Sequence, residues 1–309
     1  MGFRYSGHET FPCRYAWLPK AFAAVEADPG AFADDEKAMI RLGVGKNMVR
    51  AIRFWMVEMS VGVRRPEGGY HPSDFARALL NRKTGIDPFL QDVRTLWLLH
   101  WKLSTHSIEE PLLAWDYLIN QWQTPEISRS AVLQAFRRTA DKEVRPASNV
   151  TLEQHFDTFL HTYVPTRSRK GDIQEDNLDC PLVELDFISR VGERRIDGTG
   201  KREPIYAFRF EDKPDITPEL FAYALDDYWN TRRRSEKTLT FKDVTFGHGS
   251  PGQVFKLPEW SVRERLEVVS SDHSGPFSYV ESATQQQISR RDGAATPSLR
   301  SAFGEVVSC

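Results

Sequence analysis

Cysteine is scarce in this sequence, with three residues in 309 and none of them in a CxxC spacing. The three thiols, Cys13, Cys180 and Cys309, lie far apart along the chain. Zinc ribbons and disulfide frameworks need paired cysteines, so the sequence argues against both and predicts a reducing, cytoplasmic location. Residues 1–5 do not form a signal peptide, and no apolar run reaches membrane-spanning length, so we expect no membrane contact.

A strong charge of one sign is also missing, because 41 basic and 43 acidic residues leave a net charge of −2. The chain as a whole therefore has no electrostatic attraction for nucleic acid, and any DNA binding has to come from local basic surfaces. The sequence contains no glycine-rich phosphate loop of the P-loop kind, which argues against nucleotide hydrolysis. Its length and its 40% hydrophobic content are typical of a globular protein with two or three domains.

A short helix, a tight turn and a longer two-faced helix form the most informative pattern. Residues 34–42 are predicted as the first helix, 43–45 as the turn and 46–59 as the second helix. Cations recur at positions i, i+4 and i+7 of the second helix, opposite an apolar face. The basic face comprises Lys46, Arg50 and Arg53, and the apolar face Met48, Ile52, Trp55, Met56 and Met59. This combination is typical of a helix-turn-helix recognition element.

The residues that follow extend this pattern to a winged helix. Residues 61–65 and 70–71 are predicted as strands joined by a glycine turn, and Ser73 can cap a further helix to Leu80. We therefore predict a winged helix over about 34–82 that binds DNA. The predicted DNA-contacting residues are Arg14, Lys46, Asn47, Arg50, Arg53 and Arg64. The alternative is an ordinary amphipathic helix whose basic side is only solvated.

Apolar periodicity divides the chain into two domains and a tail. A helical N-terminal domain is predicted over 1–164, and residues 165–171 have the composition of a linker. Residues 172–271 are predicted as an α+β, winged-helix-like C-terminal domain, and 272–309 as a polar, loosely ordered tail. The expected fold class is mainly α with small β-hairpin wings, that is, winged helix-turn-helix units in a two-domain helical protein.

Four motifs, in the same order, resemble a bacterial family long known only as a domain of unknown function. They are YSGHETFPCRYAWL at 5–18, LGVGKNMVR at 42–50, DVRTLWLLHWKL at 92–103, and DCPL at 179–182 followed by GSPGQVF at 249–255. The best-described members are the SspB proteins of single-stranded DNA phosphorothioation systems. The resemblance spans about 5–269, with Cys13 standing where an aromatic residue is expected.

The resemblance implies a component of a bacterial antiphage defence system in which sulfur replaces a non-bridging phosphate oxygen of DNA. The implied partners are DNA, a sulfurtransferase that supplies sulfur, an adenylating component that activates it, and an ATPase. Family members nick DNA, which implies a metal-dependent nicking endonuclease that uses Mg²⁺ or Mn²⁺. Two other functions stay open: a non-catalytic winged-helix DNA-binding regulator, and a scaffold for the sulfurtransferase partner. The oligomeric state also stays open, with a homodimer as one expectation.

A nicking enzyme needs groups that activate water and stabilise charge on a phosphate. His8 and Glu9 are the best catalytic candidates, since His can move protons or ligate metal and Glu can act as base or ligand. The competing interpretation is structural, with His8 hydrogen-bonded in the core and Glu9 paired with Arg14. A carboxylate–lysine pattern at 211–213 would lie roughly 20 Å from Asp197 along a hairpin, too far to share a metal. The sequence therefore leaves the metal ligands unknown.

Overall fold

A computed structural model describes most of the chain. The described residues form helices, short antiparallel strands and the loops that connect them. This confirms the expected mixture of helices and small β-hairpins. None of the helices in the described ranges is long and apolar enough to cross a membrane. The described residues are 2–165, 180–196, 200–273, 275–282 and 285–304.

Contacts group the chain into two compact units. The first unit is Met1–Leu118 with Trp122–Arg209, and the second is Ile119–Gln121 with Phe210–Cys309. The division after Arg209 differs from the predicted linker at 165–171, of which all but Pro165 lies outside the described residues. The strand pairing explains why residues up to Arg209 group with the N-terminal unit, because a two-residue strand at 127–128 pairs with the strand at 202–208.

The first unit begins with three helices, a hairpin and a fourth helix, and all but the first helix lie at the positions predicted above. These are α1 (Trp17–Ala27), α2 (Asp35–Leu42), α3 (Lys46–Glu58), β1 (Gly62–Arg64), β2 (Tyr70–Pro72) and α4 (Asp74–Leu80). Asp34 begins α2, because its side chain accepts hydrogen bonds from two amides of the first turn. Gly43 ends α2 with a φ of 68°, a left-handed conformation that favours glycine. Ser73 caps α4 by accepting a hydrogen bond from the amide of Ala76.

Four more helices and a small sheet follow. They are α5 (Val93–Thr105), α6 (Leu113–Asn120), β3 (Ile127–Ser128), α7 (Arg129–Ala140), α8 (Asn149–Tyr163), a short 3₁₀ helix (Pro181–Leu185), β4 (Ile188–Arg195) and β5 (Arg202–Phe208). The strands form a sheet in the order β3–β5–β4. Buried aromatic side chains form the core, and Trp115 packs edge-to-face on Trp55 and Phe159 at centroid distances of 5.9 and 5.2 Å.

The second unit contains helices packed with a second three-stranded sheet. Its elements are α9 (Pro218–Arg232), β6 (Thr238–Thr240), α10 (Phe241–Phe246), α11 (Pro251–Val254), α12 (Glu259–Ser271), β7 (Phe277–Glu281), β8 (Gln286–Arg290) and α13 (Leu299–Ala302). The prediction of a loosely ordered tail is wrong for residues 277–302. Strand β8 lies between β6 and β7, and Phe277, Ile288 and Leu299 are buried. A few widely spaced apolar residues thus anchor a segment whose overall composition is polar.

Candidate nucleic-acid interface

The apolar face of α3 lies in the core of the first unit, as the sequence predicts. Four of the five predicted side chains are fully buried, Ile52, Trp55, Met56 and Met59, and Met48 is half-buried. The Trp55 indole N–H donates a hydrogen bond to the carbonyl oxygen of Phe11 at 2.9 Å. This bond satisfies the one polar atom of the indole, so the whole side chain can pack in the core and fix the rotation of α3.

The opposite face of α3 carries a basic stripe, which we define as Lys46, Arg50 and Arg53. Lys46 Nζ lies 3.8 Å and Arg50 Nε 3.4 Å from Oδ2 of Asp35 in α2. The Lys46 and Arg50 side chains remain 57% and 39% exposed, and Arg53 donates to the carbonyl oxygen of Phe32 at 3.4 Å. Exposed ion pairs contribute only about 0–1 kcal/mol, so Asp35 orders two of the cations but leaves them available to another anion.

Asp35 was not identified from the sequence as part of this surface. It stands in the first turn of α2, where acidic residues favour helix formation, and this local role accounts for it without any partner. Its contacts with Lys46 and Arg50 span 11 and 15 positions and depend on how the turn places α2 against α3. The available signal was an acidic residue in the first turn of the helix that precedes the basic face.

The other predicted DNA-contacting residues are Asn47, Arg64 and Arg14. Asn47 and Arg64 are exposed, on α3 and β1 respectively. Arg14 is half-buried, with its guanidinium carbon 5.9 Å from the Phe11 ring centroid and 5.3 Å from that of Trp17. Its Nε atom is buried without a hydrogen-bond partner among the described residues. In the described part of the chain, no hydrogen bond or ion pair joins Arg14 or Arg64 to the basic stripe.

The predicted catalytic residue His8 lies in the core with 3% of its surface exposed. Its Nε2 is 3.2 Å from Nδ1 of His155, and its Nδ1 accepts a hydrogen bond from the amide of Thr10 at 3.1 Å. The Thr158 hydroxyl lies 3.2 Å from the same Nδ1. Burial lowers the pKa of His8 to about 4, so the ring is neutral at neutral pH. These contacts are those that the structural interpretation of His8 predicts.

The Glu9 side chain has no hydrogen bond or ion pair with the His8 network among the described residues. Glu9 is half-buried, with a φ of 50°, in the left-handed region that is unfavourable for residues other than glycine. Gly7 precedes it with a φ of 111°, and a Cβ atom there would lie 2.7 Å from Cδ2 of Phe54. The turn at 7–10 therefore depends on the small size of Gly7. Among the described residues Glu9 and Arg14 do not form the ion pair that the structural interpretation expects.

The Mg²⁺ or Mn²⁺ ion that the family resemblance implies has no clustered set of ligands among the described residues. These residues contain no group of three or more His, Cys, Asp or Glu side chains that could hold a metal ion. Asp212, from the carboxylate–lysine pattern, pairs with Arg265 at 2.9 Å and accepts a hydrogen bond from Ser261 at 2.8 Å. Asp197 lies outside the described residues. We therefore assign no metal-dependent step to the described side chains.

Comparisons with known proteins confirm the resemblance carried by the four motifs. The family described as "Protein of unknown function (DUF4007)" matches residues 5–302. Two similar solved structures are the "Magnesium ion-bound SspB crystal structure" and the "SspB crystal structure", each 26% identical in sequence, with TM-scores of 0.78 and 0.77. Each alignment covers 98% of this chain and 86% of the other chain. No curated protein matches the sequence.

Proposed function

The chain belongs to the DUF4007 family, and we propose that it engages DNA as a component of a bacterial phosphorothioation system of the Ssp kind. The observation that supports DNA engagement is the basic stripe on α3. Lys46 and Arg50 are exposed and paired with Asp35, Arg53 is half-buried, and the opposite face of the same helix is fixed in the core. A rigid helix that presents cations to solvent is suited to bind phosphates.

In this proposal α2 to α4 act as a winged helix. The stripe runs from Lys46 to Arg53, about 10 Å along the helix axis, so it can reach more than one phosphate. Asn47 lies beside it, and the β1–β2 hairpin carries Arg64 as the wing. Arg14 adds a planar guanidinium group that can bind a phosphate bidentately. Binding would be mostly to the backbone, and therefore strongly dependent on salt.

The experiment replaces Lys46, Arg50 and Arg53 together by alanine and measures duplex binding by fluorescence anisotropy over a range of salt. Folding should survive, since the three side chains lie opposite the buried face. Each lost phosphate contact should reduce the log–log salt slope by about 0.9. A matched control removes three exposed cations of the same unit, Arg137, Arg138 and Lys142. Equal DNA affinity in a folded stripe variant would exclude α3 from DNA binding.

DNA nicking is the catalytic form of this proposal, and its support is the family membership alone. The test is relaxation of supercoiled plasmid by the purified protein with Mg²⁺, with Mn²⁺ and with a chelator. Metal-dependent relaxation supports nicking by this chain, and intact plasmid under all three conditions assigns the activity to another component. His8 and Glu9 stay the residues predicted for such chemistry.

A scaffold for the sulfurtransferase partner is a second candidate function, and one surface of the first unit favours it. An apolar groove of about 800 Å³ is lined by residues of α1 and α2. Ile40 and Phe89 line it with 86% and 64% of their surfaces exposed, and Lys20 and Arg82 add positive charge. Such a groove fits an amphipathic, acidic segment of a partner protein. Loss of co-purification with the sulfurtransferase in a Phe89→Asp variant is the expected result.

A further inference from the structure

We propose that the β4–β5 ribbon of the first unit is a second DNA-backbone contact, made by Arg190, Arg195 and Arg202. This inference rests on the proposed DNA engagement and adds to it a surface away from the helix-turn-helix sequence. The sequence motifs did not identify this surface, because the pattern depends on strand register and on a bulge.

Two arginines stand directly opposite each other on the ribbon. Arg195 of β4 and Arg202 of β5 are register partners, and both are exposed. Like charges at directly opposite positions destabilise an antiparallel pair, because their Cβ atoms lie only about 5 Å apart. Arg195 has no ion pair with another described residue, and Arg202 has one, with Glu193 at 3.8 Å. The pair is therefore left with positive charge that an anion would stabilise.

A bulge in β4 brings a third arginine to the same face. The register shifts between Arg190 and Gly192, so that Arg190 opposes Tyr206 while Gly192 opposes Ile205. Without the extra residue, Arg190 would point to the opposite side from Arg195, because strand side chains alternate. Glu193 on this face pairs with both Arg190 and Arg202. The outward face of the two strands thus carries three arginines and one carboxylate.

The inward face of the ribbon holds it firmly on α7. Glu203 is 5% exposed and accepts hydrogen bonds from the amide and the hydroxyl of Ser130 at 2.9 and 2.6 Å. Arg194 donates to the same carboxylate through Nε at 3.0 Å. These bonds fix the two strands beside Arg195 and Arg202. The backbone that carries the outward arginines is therefore ordered before a ligand binds, which reduces the entropy lost on binding.

Duplex DNA is the ligand that best fits this face. Guanidinium groups bind phosphate bidentately and are weakly hydrated, which suits them to the phosphodiester backbone of DNA. A two-stranded antiparallel ribbon also has the width to lie along a groove of the duplex. Arg195 and Arg202 stand opposite each other on adjacent strands, with Cβ atoms about 5 Å apart, so their long side chains can reach neighbouring phosphates.

The experiment compares the Arg195→Ala/Arg202→Ala double variant with wild-type protein in binding a fluorescent duplex of about two helical turns. We expect the slope of log affinity against log salt concentration to become less steep by about 1.8. Between 50 and 200 mM salt, the variant should therefore lose about tenfold less affinity than the wild type. The matched control is Arg137→Ala/Arg138→Ala on α7, which removes the same charge from exposed positions. Its slope should equal that of the wild type. The melting temperature of the ribbon variant should not fall, because a repulsive pair is removed.

The outcomes separate this inference from the function on which it rests. If the wild type binds DNA and the ribbon variant has the same slope, the ribbon assignment is wrong and the role of α3 stands. If the wild type has no affinity for DNA, both are wrong. If poly-L-glutamate binds with the same affinity and the same salt slope as the duplex, the ribbon is a site for an acidic protein, and the DNA assignment is overturned.

Discussion

Replacement of Asp35 by asparagine is the sharpest test of the basic stripe, because it should tighten DNA binding. Asp35 Oδ2 lies 3.4 Å from Arg50 Nε and 3.8 Å from Lys46 Nζ, with 24% of its side chain exposed. A phosphate that approaches the stripe has to compete with this carboxylate for both cations. Asparagine has nearly the same shape, so the substitution removes the competing charge and leaves the geometry.

The size of the effect follows from the two ion pairs. Each exposed pair contributes about 0.2–1 kcal/mol, so removing both frees about 0.4–2 kcal/mol for phosphate binding. This corresponds to an affinity about two- to thirtyfold higher at 25 °C. The same substitution removes an acidic group from the first turn of α2, which costs about 0.3–1 kcal/mol of helix stability. Binding and stability should therefore change in opposite directions.

The assay is fluorescence anisotropy with a labelled duplex at low salt, together with thermal denaturation of both proteins. Glu36→Gln is the matched control, since Glu36 also stands in the first turn of α2, is exposed and has no ion pair among the described residues. Its net charge change is identical, so it measures the general effect of lost negative charge. Equal affinities of the Asp35 and Glu36 variants would refute the role of the stripe, and so would weaker binding by the Asp35 variant.

Three further predictions concern the core and the His8 network. Trp55→Ala should lower the free energy of unfolding by about 3–5 kcal/mol in thermal denaturation, and an unchanged melting curve would contradict the assigned faces of α3. The pKa of His8 is about 4 in the folded protein, against about 6.5 unfolded, so the unfolded state takes up the proton first and stability falls as pH drops from 6.5 to 4. The loss reaches about 3 kcal/mol, and a His8→Gln variant should have a flatter pH profile of melting temperature. If His8 and Glu9 are catalytic, His8→Ala or Glu9→Gln abolishes plasmid nicking with DNA binding intact; a folded double variant that nicks at the parental rate ends that hypothesis.

Local signals explain why the helix-turn-helix and hairpin order could be predicted from the sequence. Asp34 and Ser73 are N-caps whose side chains reach amides within three positions, and Gly43 supplies a left-handed residue where α2 ends. Each signal acts within one helical turn, so it operates regardless of the rest of the fold. The buried face of α3 was predictable for the same reason, because helical spacing alone places Ile52 and Trp55 on one side.

Features that depend on distant residues were not predictable. Strand β8 pairs with β6 from about 50 positions away, and only this pairing buries Ile288 against the second unit. The bulge after Arg190 places this residue on the same face of the ribbon as Arg195. The bulged position itself has no glycine or proline that would signal it. For His8 the sequence left a catalytic and a structural interpretation open, since only the fold shows that His155 and Thr158 lie beside it.

The salt dependence of DNA binding should show whether the two basic surfaces bind the same duplex or separate ones. The stripe and the ribbon together offer six cations, Lys46, Arg50, Arg53, Arg190, Arg195 and Arg202, in a chain whose net charge is −2. If all six contact the same duplex, they should contribute about −5 to the log–log salt slope of the wild type, and the losses in the stripe and ribbon variants should add. If each surface binds its own DNA, the slope of each binding event stays near −3. DNA binding at the ribbon then has the same salt slope in the stripe variant as in the wild type. A combined variant with the slope of the stripe variant alone would show that the ribbon makes no contact.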